Sequence, residues 1–317
     1  MSIVINEPGL IAEPEPIRSR GGILWDTIRR RPSATIGATI LSLIVVGAVL
    51  APWIAPYDLH EQVGPPFGAP SWQHPLGLDD GGVDMVTLLM WGARISLVVG
   101  FAATLVSMLI GGTVGVTAGY FGGKVDGVLM RITDYFLVIP DLPLAIIVAA
   151  VWGASLTHLI FVIALLLWTT TARIVRSQVK SVRERVYVKR TRSLGAGNTR
   201  IVFRHVLPQI APLLIANTVL TVAIAIFDET ALSFLGLGDP SSVTWGSIIE
   251  FAFLRSAISA GAWWAIIPAG LCVALVIMGC YWLGQSIEDA LNPRLKVAHL
   301  GPRGFRLRPI SRRENPE

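Results

Sequence analysis

Charged side chains are scarce in this sequence. They account for 15% of its 317 residues, while 53% of the residues are hydrophobic. Soluble globular domains carry about 25% charged residues, so this shortage excludes an ordinary soluble domain. Long apolar runs take the place of the missing charge, and runs of this length indicate an all-α polytopic membrane protein.

Cysteine and the common catalytic motifs are scarce as well. Cys272 and Cys280 share one apolar run, where a helix would separate them by about 12 Å, too far for a disulfide. The histidines show no zinc-like spacing, no nucleophile elbow occurs, and Gly123-Lys124 is not part of a Walker A motif. We therefore expect a non-catalytic subunit that holds no cofactor and no metal.

Basic residues outnumber acidic ones, but their placement argues against a nucleic-acid partner. The net charge is +5, and the basic residues cluster at the ends of apolar runs. Anionic lipid headgroups and the positive-inside bias account for such clusters. The segment 57–92, in contrast, carries five acids and no Lys or Arg, which predicts that it lies outside the cell.

Six apolar spans with both chain ends in the cytosol satisfy this distribution of charge. The predicted transmembrane domain covers 33–287, between a cytosolic tail at 1–32 and a basic cytosolic tail at 288–317. The predicted spans are 33–56, 95–120, 128–151, 156–172, the run from just after Pro208 to 234, and 262–286. Outside loops are predicted at 57–92 and 236–261, and a cytosolic loop at 173–208.

A stripe of glycines runs along the second span. Gly111, Gly115, Gly119 and Gly123 repeat every four residues, so they lie on one helix face. Small residues in this pattern let another membrane helix approach closely. We predict that the stripe is a helix-packing surface.

Acidic residues inside the spans either pair locally or face the route of a solute. Arg131 and Asp134 lie three residues apart and are predicted to pair at the level of the lipid headgroups. Asp141 is flanked by prolines, which predicts either a kink that lines a cavity or a short break. Asp228 and Glu229 fall near the outer end of span five, as interfacial acids or as the lining of an outward opening. Asp141, Asp228 and Glu229 are the candidates for the translocation pathway.

The segment 173–208 is the most basic part of the chain. It holds ten of the 26 Lys and Arg residues and one acid, Glu184. Its apolar residues recur at helical spacing on either side of Gly195 and Gly197, which predicts two short helices joined by a bend. A structured loop of this size between two spans suggests a docking surface for a soluble partner.

This loop resembles the EAA loop of permease subunits in binding-protein-dependent ABC importers. The matching residues are Tyr187, Val188, Leu194, Gly195, Ala196, Gly197, Arg200, Ile201, Arg204, His205, Val206, Leu207 and Pro208. Further stretches are similar to the dipeptide, oligopeptide and nickel branch of the family, in collinear order over roughly 30–295. They are 74–77, 92–97, 130–131 with Asp134, 172–173, 175–176, Glu229 with 232–238, 245–246, 289–291 and 293–294.

The resemblance implies a type I ABC importer permease fold, with a cytosolic coupling helix between helices four and five. It implies a bacterial or archaeal plasma membrane, a second homologous permease and two cytosolic ATPase subunits that carry ATP and Mg²⁺. It also implies an extracytoplasmic solute-binding protein and, as the commonest cargo of the branch, a peptide. The residues expected to couple to the ATPases are Tyr187, Val188, Lys189, Arg190, Thr191, Leu194, Gly195, Ala196, Gly197, Arg204, His205 and Pro208.

The chain departs from the family pattern in the coupling loop. Lys189-Arg190-Thr191 stands where the family has Glu-Ala-Ala, so a cation replaces an acid. Either the groove on the ATPase partner carries compensating acids, which is the hypothesis tested below, or the contact is weaker or rewired. The alternative function, a self-contained secondary transporter or channel, would need mid-membrane acids, broken helices and inverted repeats, and no clear internal repeat occurs.

Overall fold

The computed structural model describes residues 31–291, and helices account for most of them. In chain order the helices are α1 (Pro32–Ile54), α2 (Met85–Phe121), α3 (Gly123–Val138), α4 (Asp141–Trp152), α5 (Leu156–Arg183), α6 (Val186–Ser193), α7 (Asn198–Ile201), α8 (Leu207–Phe234), α9 (Trp245–Leu254) and α10 (Ile267–Leu291). A π-helical turn, Val202–Val206, joins α7 to α8, and a 3₁₀ turn, Trp263–Ala265, precedes α10. The predicted tails lie almost entirely outside the described residues.

Five helical segments are long and apolar enough to cross a membrane, namely α1, α2, α5, α10 and the continuous stretch Asn198–Phe234. The third predicted span is different: α3 and α4 are bent by 87° at the break between them. The six predicted spans are confirmed when this bent pair counts as one. The bend follows from Pro140, which has no amide hydrogen for the helical ladder and disfavours helix at Ile139.

The span boundaries differ from the prediction at the basic loop. The fourth span was predicted to end at 172, but α5 continues without interruption to Arg183. The segment between the second and third predicted spans, which includes Lys124 and Asp126, is also helical, because α3 begins directly at Gly123. One rigid helix therefore reaches from the membrane span into the basic loop.

The two ends of the bundle differ in charge. The basic end is the one that carries the 173–208 loop, where α2 and α5 end and α8 begins. The acidic end is formed by the segments 55–84 and 235–266, where α1 and α8 end and α2 and α10 begin. At the basic end, Arg31 before α1 donates to Asp289 of α10 over 2.6 Å.

The predicted glycine stripe packs α2 against α5, and this prediction is confirmed. A Cβ atom on Gly115 would lie 2.6 Å from the carbonyl oxygen of Ala172, and one on Gly119 would lie 2.8 Å from that of Arg176. Gly111 meets the carbonyl oxygen of Trp168 in the same way. Gly123 is not part of the contact, since it starts α3 with φ of +54° and open space around it.

Gly115→Val is expected to force α2 and α5 apart and to destabilise the chain by about 1–3 kcal/mol, the usual cost of overpacking. Gly112→Val is the matched control on the same helix, because no atom in the described part of the chain lies within 4 Å of a Cβ atom at Gly112. Thermal unfolding of both variants in detergent would measure the difference. Equal midpoints for the two variants would contradict the packing role of the stripe.

The predicted outside loop 236–261 contains a helix, α9, that folds back onto the bundle. Trp245 at its start is fully buried, and its indole Nε1 donates to the carbonyl oxygen of Leu89 over 3.1 Å. Its backbone amide donates to Ser96 Oγ over 3.2 Å. A Cβ atom on Gly246 would lie 2.6 Å from the carbonyl oxygen of Thr230, so α9 also contacts α8 directly. The helix α9 therefore completes the core at the acidic end.

Candidate functional site

The basic loop is a helix, a bend and a second short helix. Gly195 lies in the bend with φ of +82°, and its amide donates to the carbonyl oxygen of Arg192 over 3.0 Å. Gly197 precedes α7 with an ordinary φ of −65°. The predicted bend is confirmed, but the helical residues before it form two helices, the end of α5 and α6, and not one. Gly195 is the residue in the bend whose positive φ favours glycine.

The helix α6 is anchored by one buried side chain and exposes the others. Val188 is fully buried and packs in a cluster at the basic end with Val179 and Val182 of α5 and with Ile201 and Ile210. The opposite face is exposed: Val186 is 65% accessible, and Leu194, the residue directly after α6, is 88% accessible. Lys189, Arg190 and Arg192 are also exposed. The protruding face of α6 therefore combines apolar and basic groups.

The other predicted coupling residues surround this face. The ring of Tyr187 lies 6.4 Å from the ring of His205, centre to centre, which joins α6 to the turn before α8. Thr191 Oγ1 donates to the carbonyl oxygen of Tyr187 over 2.8 Å. Arg204 is exposed, and the remaining two, Ala196 and Pro208, are half-buried. Pro208 lies in the first turn of α8, directly after the π-helical turn.

Glu184, the one acid of the loop, pairs with Lys189. The Lys189 Nζ atom lies 2.9 Å from Glu184 Oε2, and Arg183 Nε lies 3.3 Å from Oε1. The hydrogen bond from Lys189 holds the pKa of the Glu184 carboxyl below its usual range. Lys189 is thus partly neutralised within the chain, and Arg190 and Arg192 carry more of the free positive charge of the face.

Tyr120, at the end of α2, ties the loop to the bundle, and sequence reasoning missed it. Its hydroxyl donates to Asn198 Oδ1 over 2.8 Å, and its carbonyl oxygen accepts from Arg183 Nη1 over 2.8 Å. The Arg192 guanidinium lies 5.4 Å from the centre of its ring. A tyrosine at the end of an apolar run is typical of a span boundary, but its three contacts depend on the fold.

Two acidic residues of α3 form ion pairs with three basic residues of α5. Asp126 is almost buried and accepts from Arg176 through both Nε and Nη2, and from Lys180 Nζ over 2.6 Å. Asp134 accepts from Arg173 Nη2 over 2.6 Å. The predicted pair of Arg131 with Asp134 is therefore wrong, because the partner of Asp134 comes from the neighbouring helix. We call Asp126, Asp134, Arg173, Arg176 and Lys180 the α3–α5 ion cluster.

The three pathway candidates lie in different environments. Asp141 is exposed at the start of α4, and Asp228 is half-buried on α8 within electrostatic range of it. Glu229 is fully buried, with Oε1 accepting from Ser233 Oγ over 2.9 Å and the hydroxyls of Ser96 and Thr244 nearby. Glu229 therefore faces the junction of α2, α8 and α9 and does not line an open surface in this structure.

Comparison with known proteins identifies the family. Residues 111–297, more than half of the chain, match the model of binding-protein-dependent transport system inner membrane components. Residues 19–67 match the N-terminal transmembrane domain of oligopeptide transport permease C.

Relatives match over nearly their whole lengths. The di/tripeptide transport system permease protein DppC of Pseudomonas aeruginosa is 34% identical over 92% of this chain and 97% of its own length. The oligopeptide transport system permease protein OppC of Bacillus subtilis and the glutathione transport system permease protein GsiD of Escherichia coli are each 32% identical, over 90% of this chain and 94% of their lengths.

A solved structure supports the fold. A crystal structure of the MetNI methionine ABC transporter in an inward-facing conformation is similar to 66% of this chain and 98% of its own matched chain, with a TM-score of 0.52 and 18% identity. The predicted type I importer permease fold is confirmed, and a self-contained carrier or channel is ruled out by the family. The chain belongs to the family of binding-protein-dependent transport system inner membrane components, as a permease subunit of an ABC importer of the DppC/OppC type.

Proposed function

We propose that this chain forms half of a translocation pathway for a peptide-like solute, together with a second, homologous permease subunit. Two cytosolic ATPase subunits bind ATP and Mg²⁺ and dock on the basic loop, while a solute-binding protein delivers the solute to the acidic end. The basic end and both chain termini face the cytosol of a bacterial or archaeal cell. The charge difference between the two ends supports this orientation.

The observation that carries the coupling role is the construction of α6. Its exposed face combines Val186, Tyr187 and Leu194 with basic side chains, which fits a groove with an apolar floor and an acidic rim. Its buried face is attached through Val188 to the rigid extension of α5. Because α6 is exposed to a partner and packed against α5, a displacement of α6 by that partner also displaces α5.

The motion that follows ATP binding has a physical route through this chain. When the ATPases close, they draw α6 and the end of α5 with them. The α3–α5 ion cluster and the glycine contacts of α2 make α2, α3 and α5 move as one unit. Two packed arrangements of such units supply the two states of alternating access.

A peptide as cargo is supported by the relatives and by two acids. Several relatives are named for peptides, and Asp228 lies within electrostatic range of Asp141, which follows the α3–α4 bend. Two neighbouring carboxylates attract a cation, and the amino terminus of a peptide carries one. The two carboxylates are proposed to contact this amino group along the pathway.

The test is purification of the tagged chain from a membrane, identification of the co-purifying subunits, and transport by the reconstituted complex. The expected result is a complex with a second permease and ATPase subunits that imports a labelled dipeptide when ATP is supplied. A complex that contains these subunits but imports only non-peptide solutes would contradict the cargo. A homo-oligomer without ATPase subunits would contradict the coupling role.

Reversal of the exposed charge on α6 tests the expected acidic groove. The double variant Lys189→Glu, Arg190→Glu is expected to weaken ATPase binding by about tenfold or more, because like charges then face each other. Lys124→Glu, an exposed position at the start of α3 outside the loop, is the control. Co-purified ATPase per permease would be measured, and full retention in the double variant would contradict an acidic groove.

A further inference from the structure

The acidic end presents an unusually one-sided set of charges. The segments 55–84 and 235–266 contain seven acids and one Lys or Arg residue, Arg255. The acids are Asp58, Glu61, Asp79, Asp80, Asp84, Asp239 and Glu250. A surface of one sign attracts a partner of the opposite sign and speeds its association.

Several of these acids are already used by the fold. Asp84 caps α2 by accepting from the amide of Thr87 over 3.0 Å, and its other oxygen lies 3.1 Å from His74 Nδ1. Asp79 accepts from the amides of Gly81 and Val83 within its own turn. Such acids shape the surface and are not available to bind a partner strongly.

Two half-buried acids lack such compensation. Among the described residues Asp80 pairs only with Arg255, with 3.7 Å between their nearest charged atoms, and the Arg255 side chain is 70% exposed. Glu250 is half-buried and has neither an ion pair nor a hydrogen bond within residues 31–291. Burial raises the pKa of the Glu250 carboxyl, and a cation beside it would offset the desolvation of the carboxylate.

Each of these acids lines a cavity, and the two cavities flank α9. The first, about 240 Å³, lies between α9 and the 59–83 segment and contains Asp80. The second, about 160 Å³, lies between α9 and the turn at 236–242 and contains Glu250 and Asp239. Phe251 borders both cavities and is 46% exposed. Each cavity therefore offers an apolar wall and a carboxylate.

We propose that these two cavities receive lysine or arginine side chains of the solute-binding protein. A long basic side chain packs its aliphatic stem on an apolar wall while its charged head reaches a carboxylate. The two cavities lie on either side of one anchored helix. They therefore suit a rigid protein lobe that presents two cations at a fixed separation. This inference rests on the proposed function, since it assigns a docking surface to the partner that delivers the solute.

The experiment uses the assembled transporter in nanodiscs and the purified, solute-loaded binding protein of the same transport system. Asp80→Asn and Glu250→Gln are each expected to weaken binding about fivefold to tenfold and to reduce its dependence on salt between about 50 and 200 mM NaCl. Glu250→Lys is expected to weaken binding further. Glu61→Gln, an exposed acid that lines neither cavity, is the matched control for the loss of one surface charge and is expected to weaken binding no more than about twofold.

The outcomes separate this inference from the proposed function. Wild-type binding and salt dependence in the Asp80→Asn, Glu250→Gln double variant would overturn the inference. The inference would also be overturned if the double variant bound the solute-binding protein normally but had a raised KM for cationic solutes. The cavities would then contact the solute and not the binding protein. Should one variant fail to assemble, the other tests its own cavity independently. Failure of the wild-type chain to assemble with ATPase subunits contradicts the proposed function instead.

Discussion

Asp126→Asn is expected to uncouple this permease, lowering ATP-driven transport about tenfold while the ATPase subunits still bind. The substitution keeps the shape of the side chain but removes its charge. Arg176 and Lys180, which both donate to Asp126, then lose a charged acceptor that is almost buried. Loss of such a network costs about 1–3 kcal/mol, because two partly buried cations are left poorly compensated. The α3 half of the bent third span is then no longer fixed to α5, the helix that leads into α6.

Asp134→Asn provides the matched control on the same helix. Asp134 and Arg173 are both more than half exposed, so their pair contributes about 0.2–1 kcal/mol or less after solvent screening. Transport and thermal stability should therefore change little in this variant. Solute imported per ATP hydrolysed, measured in proteoliposomes, gives the coupling. Equal coupling in the two variants would show that the ion cluster does not carry motion from α5 to α3.

The parts of the fold that depend on local composition could be predicted from the sequence. Hydropathy locates the spans because crossing a membrane requires a long apolar run. The glycine repeat likewise indicates a helix-packing surface, because small residues let another helix approach. The bend at Gly195 follows from two glycines between helical segments. The break near Asp141 was one of two outcomes predicted from its flanking prolines.

The parts that depend on which helices are neighbours could not be predicted. Arg131 lies three residues from Asp134, yet Arg173, 39 residues away, is its partner because α3 packs along α5. Glu229 lies near the end of its helix, as predicted, but α9 folds back over it and buries it. The run that forms α9 is too short for a span, so hydropathy alone assigned it to a loop.

The second large effect is expected for Gly195→Val, in the bend after α6. Its φ of +82° is disfavoured for residues with a side chain, and a β-branched residue resists it most. The strain, about 1–2 kcal/mol, is relieved if the bend reorients and moves α6 relative to α7. We expect transport to fall about tenfold while ATP hydrolysis continues, which is the signature of uncoupling. Transport and hydrolysis would be measured on the same reconstituted complex.

Backbone strain can be separated from a loss of space at this position. No atom of the described residues lies within 4 Å of a Cβ atom at either Gly195 or Gly197, so a new side chain has room at both. Gly197→Val adds the same side chain in the same loop, but at φ of −65°, and should transport normally. Gly195→Asn should also retain coupling, because asparagine tolerates positive φ better than valine. If all three variants lost coupling equally, the side chains themselves would disturb the ATPase contact and the bend would not be the cause.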